Sequence, residues 1–168
     1  MSICRSAAVL SLIATAAVAP VGARAQAAHD DSVRIVNVTP KSGPSLPAIL
    51  KSEAAAALSA GRTPFVELGA TWCGPCRKLA ASLGPLGDSR MIDAFAGTSV
   101  IHVDVDDWKG TLDSLGFKSD GIPAFFRVDS LGKPTGPVIT GAAWGEDIPE
   151  NMAPPLKKFF QEHLEKKK

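Results

Sequence analysis

Two cysteines three positions apart, Cys73 and Cys76, are the residues of this chain best suited to covalent chemistry. They stand in Trp72-Cys73-Gly74-Pro75-Cys76, between an apolar run of strand type, Pro64 to Ala70, and a run of helix formers, Arg77 to Leu83. Pro75 suits the first turn of a helix, where its missing N–H is not needed. Cys73 is thereby placed at or near a helix N-terminus, where unpaired N–H groups and the positive end of the helix dipole favour a thiolate. A thiolate is the attacking species in thiol–disulfide exchange. Cys76, about one helical turn further on, is close enough to bridge to Cys73. The pair reads as a nucleophile and a resolving thiol, with Cys73 expected to be the more exposed and more acidic of the two.

Two other uses of the pair fit less well. A purely structural bridge is a poor staple at this spacing, because the loop it closes is tiny. Zinc needs four ligands, usually from two such pairs. The remaining candidates, His29, His102 and His163, are not spaced as metal ligands.

The surrounding sequence supplies the elements that position the pair. Val33 to Val38 alternates as a first strand. Ser45 is placed to cap a helix running to about Ala60, with Pro47 in its first turn. The strand holding Glu67 and the cysteine helix follow, broken at Gly84-Pro85. A further helical piece spans about Asp88 to Phe95. Ser99 to Val105 reads as a buried strand, 110–115 as a short helix, and Gly121 to Val128 as entry into another strand. Ser130 to Lys133 turns into Pro137 to Gly141. A final helix covers about Asn151 to Leu164, with Leu156, Phe159, Phe160 and Leu164 on one face. This order predicts an α/β fold, a central mixed sheet with helices on both faces.

Trp-Cys-Gly-Pro-Cys resembles the active-site motif of the thioredoxin family, and the resemblance extends over roughly residues 33–164 with insertions. It implies a thioredoxin fold and a redox-active Cys73–Cys76 disulfide, with no cofactor and no metal. Catalysis would fall to Cys73, Cys76 and Glu67. Glu67 is an acid inside an apolar strand, six residues before Cys73. Burial tends to raise a carboxyl pKa. A strand-end Glu67 pointing to solvent is the other reading. By resemblance, Glu67 would shuttle a proton to and from Cys76. His102 falls near the position where the family often has a lysine facing that acid; a partly exposed strand histidine is the plainer reading.

Ile122-Pro123 resembles the family's Ile-cis-Pro, which implies that the Ile122 backbone pairs with a substrate strand beside Cys73. The alternative is a trans proline opening an edge strand. Trp72, Gly74 and Pro75 complete the implied substrate-binding set. Trp108 is assigned to the core, and Trp144 either to a lip of the groove or to an ordinary packed loop. The chain departs from the family at Ala81, where a proline is usual; the helix bend is expected to move to Gly84-Pro85.

Residues 1–25 read as a secretory signal: Arg5, an apolar stretch from Ala7 to Val21, and Ala23-Arg24-Ala25 before Gln26. The apolar stretch is too short for a confident span, which takes about 20 residues; an uncleaved N-terminal anchor is the other reading. Cys4 leaves with the leader. Of 168 residues, 143 remain as one expected domain, 26–168, without a stable membrane span. Loss of Arg5 and Arg24 leaves 16 basic against 17 acidic residues, a net charge of −1, with no basic surface for nucleic acid. Lys166 to Lys168 form a solvated tail.

The function expected is a periplasmic or otherwise secreted thiol:disulfide oxidoreductase acting on protein disulfides. Gly-Pro between the cysteines resembles the reducing members of the family. A reductant in an oxidising compartment needs recharging, so a membrane-embedded electron donor is implied. The alternatives are a disulfide oxidase or isomerase, or a non-catalytic binding module on the same scaffold.

Overall fold

The computed structural model describes residues 33–40 and 43–164. The expected leader, the polar stretch 26–32 and the lysine tail lie outside the described residues. Among the described residues, five strands and five α-helices follow one another: β1 (Arg34–Val38), α1 (Leu46–Ser59), β2 (Thr63–Gly69), α2 (Gly74–Ser82), α3 (Ser89–Ala94), β3 (Thr98–Asp104), α4 (Thr111–Ser114), β4 (Ala124–Val128), β5 (Pro134–Thr140) and α5 (Pro149–His163). A short 3₁₀ turn, Gly141–Ala143, joins β5 to the loop before α5. None of the helices among the described residues is long and apolar enough to cross a membrane.

The sheet order is β1-β3-β2-β4-β5. β3 pairs in parallel with β1 and β2, while β4 runs antiparallel to β2 and β5, so the sheet is mixed. Every residue of β2 is buried, as expected of a strand covered on both faces. Its alternation sorts the core into two layers. Val66 and Leu68 pack with Leu46, Leu50 and Ala54 of α1 and Leu112 of α4. Phe65 points the other way, onto Leu79 of α2, Met91 of α3 and Leu156, Phe159 and Phe160 of α5.

Element ends differ from the sequence expectations where prolines and caps intervene. β5 starts at Pro134, not Pro137, because its register shifts between Phe126 and Arg127. The skipped residues are Gly136, at φ +76°, and Pro137. A bulge on an edge strand is where a proline costs no ladder bond. α5 begins at Pro149, which serves as a first-turn proline, and it continues through Pro154 and Pro155. Those two prolines each forfeit a helical hydrogen bond. The buried face of Met152, Leu156, Phe159 and Phe160 holds the helix against the sheet. Ser45 occupies the N-cap position of α1, but its hydroxyl makes no capping bond. Asp88 does cap α3, accepting from the Arg90 N–H at 2.9 Å.

Candidate functional site

β2 ends at Gly69, and four residues later Cys73 takes the N-cap position of α2 in extended conformation. Its Sγ accepts the Cys76 N–H at 3.1 Å, so the sulfur itself caps the helix. Cys73 and Cys76 are joined in a disulfide with an S–S distance of 2.09 Å and Cα atoms 5.3 Å apart. Gly74 and Pro75 form the first turn between them.

The sequence predicts Cys73 to be the more exposed of the pair, but in the disulfide both cysteines are buried. Cys73 is 3% exposed and Cys76 5%. Both are packed with Ala70, Val105 and Ile122, which cover the bridge from β2's end, β3's end and the loop before β4. What distinguishes Cys73 is its partners. Its sulfur meets the helix N-terminal N–H and lies 3.8 Å from the Ile122 carbonyl oxygen.

The Ile122–Pro123 peptide bond is cis. The Pro123 carbonyl accepts the Gly141 N–H at 3.0 Å, tying this turn to the end of β5. A Cβ at Gly141 would lie 3.4 Å from Pro123 Cδ, so the approach is close. Depressions lie on either side of the Gly121–Ile122 backbone. One, of about 380 Å³, has Trp72, Val105, Leu112 and Phe117 in its wall. The other, of about 250 Å³, is bounded by Pro75, Thr140 and Asp147.

Trp72 is 63% exposed, in the wall of the first depression. Its indole N–H donates to Asp106 Oδ2 at 2.6 Å. Asp104 accepts the Thr71 N–H at 3.2 Å and the Asp106 N–H at 2.9 Å, so the loop after β3 is pinned to the loop carrying Trp72. Neither aspartate was singled out in the sequence. The three aspartates Asp104, Asp106 and Asp107 were the available signal, and they did not show which carboxylate would meet the indole.

Glu67 is 5% exposed, which removes the solvent-pointing alternative. It shares with Phe65 the sheet face that α2 covers. In register it stands opposite His102 on β3 and Phe125 on β4. His102 Nδ1 lies 3.3 Å from Glu67 Oε2. The His102 side chain is 27% exposed against 7% for Glu67, so the histidine is both partly exposed and paired with the acid. Glu67 beside it, chiefly through the hydrogen bond, raises the His102 pKa above its ordinary value; burial opposes this, and the charges of Glu67 and Asp104 add to it.

The remaining tryptophans settle into the core layers. Trp108 packs against the α1 side. Trp144 is 7% exposed within the α5-side cluster and donates its indole N–H to Asp147 at 3.1 Å, so the packed-loop reading holds.

No protein-family profile matches the chain, and no curated protein is significantly similar to it. Solved structures are. A thioredoxin h from poplar superposes with a TM-score of 0.52 at 19% identity, over 80% of this chain and 99% of that one. A thioredoxin from Nicotiana alata gives 0.51 at 18% identity, over 79% and 95%. Identities this low speak for architecture alone. Together with the strand order and the helices on both faces, they establish that this chain has the thioredoxin fold.

Proposed function

We propose that the chain is an exported thiol:disulfide oxidoreductase that reduces protein disulfides through Cys73 and Cys76. The observation carrying this reading is the Cys73–Cys76 disulfide at the start of α2, its Cys73 sulfur held by the Cys76 N–H. In the dithiol form the same N–H and the helix dipole favour the Cys73 thiolate. That thiolate attacks one sulfur of a substrate disulfide, and the other sulfur leaves as a thiolate. Cys76 then loses its proton and attacks Cys73 Sγ, which re-forms the intramolecular bridge and releases the second substrate thiolate. Two electrons pass from the dithiol to the substrate.

Glu67 is the proposed acceptor of the Cys76 proton, on the strength of its burial and its place on the face under α2. The backbone of half-buried Ile122, with Trp72, Gly74 and Pro75 around the bridge, forms the proposed docking surface for an extended substrate strand. Export rests on the leader-like residues 1–25, and a membrane-embedded electron donor on the need to re-reduce the pair in an oxidising compartment.

The test is reduction of insulin disulfides with dithiothreitol as electron source. Turnover that disappears in Cys73→Ser is the expected result. Background-level turnover by the folded protein would leave a binding module. A measured reduction potential near that of strong oxidants would reverse the net direction. A Cys76→Ser variant should accumulate mixed disulfides, and mass spectrometry of these would name the substrates.

A further inference from the structure

The Glu67 carboxylate is nearly sealed, yet the proton it is proposed to accept must reach water. The only described side chain hydrogen-bonded to it is His102, at 3.3 Å from Nδ1 to Oε2. Exposure rises along this pair, from 7% at the glutamate to 27% at the histidine. The ring is seated by Gly69, two residues beyond Glu67 on the same strand face. A Cβ at Gly69 would fall 2.7 Å from His102 Cε1 but an ordinary 3.6 Å from Glu67 Oε1. Gly69 is not in the left-handed region, so its missing side chain leaves room for the ring rather than serving a turn.

We propose that His102 is the outlet of the proton path, a relay and positioning residue that takes from Glu67 the proton received from Cys76 and releases it to solvent. This rests on the oxidoreductase reading above. The step balances simply. The Cys76 S–H proton moves to the Glu67 carboxylate as Cys76 attacks Cys73 Sγ. In the neutral ring that carries its proton on Nε2, Nδ1 takes the Glu67 carboxyl proton and Nε2 gives its own to water; re-reduction of the pair, which returns a proton to Cys76, runs the same path backwards and restores that tautomer. The departing substrate thiolate regains a proton from solvent.

An imidazole suits this task because its ordinary pKa lies near neutrality. The charged groups around the ring are Glu67 from β2 and Asp104 on β3, and both favour its protonated form; its β1 register partner, Asn37, is uncharged. A protonated ring cannot accept. The relay therefore speeds up as pH rises through the raised His102 pKa.

The experiment is stopped-flow mixing of the reduced protein with 5,5′-dithiobis(2-nitrobenzoate), in which the first coloured thiolate reports attack by Cys73 and the second reports attack by Cys76. His102→Gln should leave the first phase unchanged and slow the second about tenfold, below the ~10²–10⁴-fold of a whole general acid–base group. It should also erase the inflection in the pH profile of that phase. Gly69→Ala, which keeps the imidazole but displaces it, should slow the second phase in the same direction. Added imidazole should accelerate the second phase of His102→Ala. His102→Arg, whose guanidinium stays protonated, separates charge from relay, and slow resolution is expected. A second phase in His102→Gln equal to wild type at every pH would overturn the relay. So would full recovery in His102→Arg, which would make His102 a fixed charge. A wild-type protein that releases no coloured thiolate would instead overturn the oxidoreductase reading itself.

Discussion

Two stretches of one sheet face, separated by two residues along β2, serve opposite ends. At Phe65 the face is covered by aromatic rings: Phe160 packs edge-on at 4.8 Å between centroids and Phe159 at 5.9 Å, with Phe95 and Phe125 beside Phe160 at 4.6 and 5.4 Å. At Glu67 the same face holds a carboxylate, an imidazole and, across Gly69, the loop to the disulfide. The first region buries apolar area and edge-to-face ring contacts, the main sources of stability. The second buries a polar group, which costs stability unless it is hydrogen-bonded. The fold concentrates cohesion at one end of its central strands and spends some of it at the other.

The contrast breaks most visibly at Phe160. Phe160→Ala should lower unfolding stability by about 3–5 kcal/mol, because a fully buried ring is lost with four ring partners around it. Chemical denaturation of the oxidised protein measures this. The reduction potential of Cys73–Cys76 should stay close to wild type, and a large change there would mean that the two regions are not separable.

A smaller effect is expected from the polar end, and its sign depends on pH. The folded His102 pKa is raised, so the Glu67–His102 contact contributes its stability in full below the unfolded value of about 6.5. That contribution declines as pH rises through the folded pKa. Denaturation of the oxidised protein, in which the bridged cysteines do not titrate, should show stability falling across this window. Glu67→Gln should flatten the fall. A slope that persists unchanged in the variant would assign it to other groups.

The smallest effect is expected at the rim. Asp106→Ala removes the acceptor of the Trp72 indole N–H, an exposed contact worth on the order of 1 kcal/mol or less. Trp72 fluorescence should change its quenching and anisotropy while global stability barely moves. Unaltered Trp72 emission would show that the 2.6 Å contact does not hold the ring in solution.

Much of the architecture was legible in local patterns. The placement of Cys73 at the start of a helix followed from Pro75 and the flanking runs, and it holds because a strand-to-helix junction is written in neighbouring residues. The five strands, the cysteine helix and the aromatic face of α5 were likewise local. Boundaries shifted where a proline acted through its partners, as at Pro137, whose tolerance depends on a bulge opposite β4. The burial of both sulfurs was not readable, because the residues that cover them, Val105 and Ile122, come from distant parts of the chain.

The chain's own order of residues determined which groups could react: a Cys-x-x-Cys capped by its own helix, and an acid within a strand. Only the tertiary structure decided whom they meet. The β2–β3 register sets Glu67 against His102, 35 positions apart, and the loop after β3 brings Asp106 to Trp72, 34 positions apart. Spacing along a helix or strand is a short-range constraint, fixed by backbone geometry. Pairing across strands depends on how the whole sheet aligns to bury both of its faces, and that is a property of the folded chain.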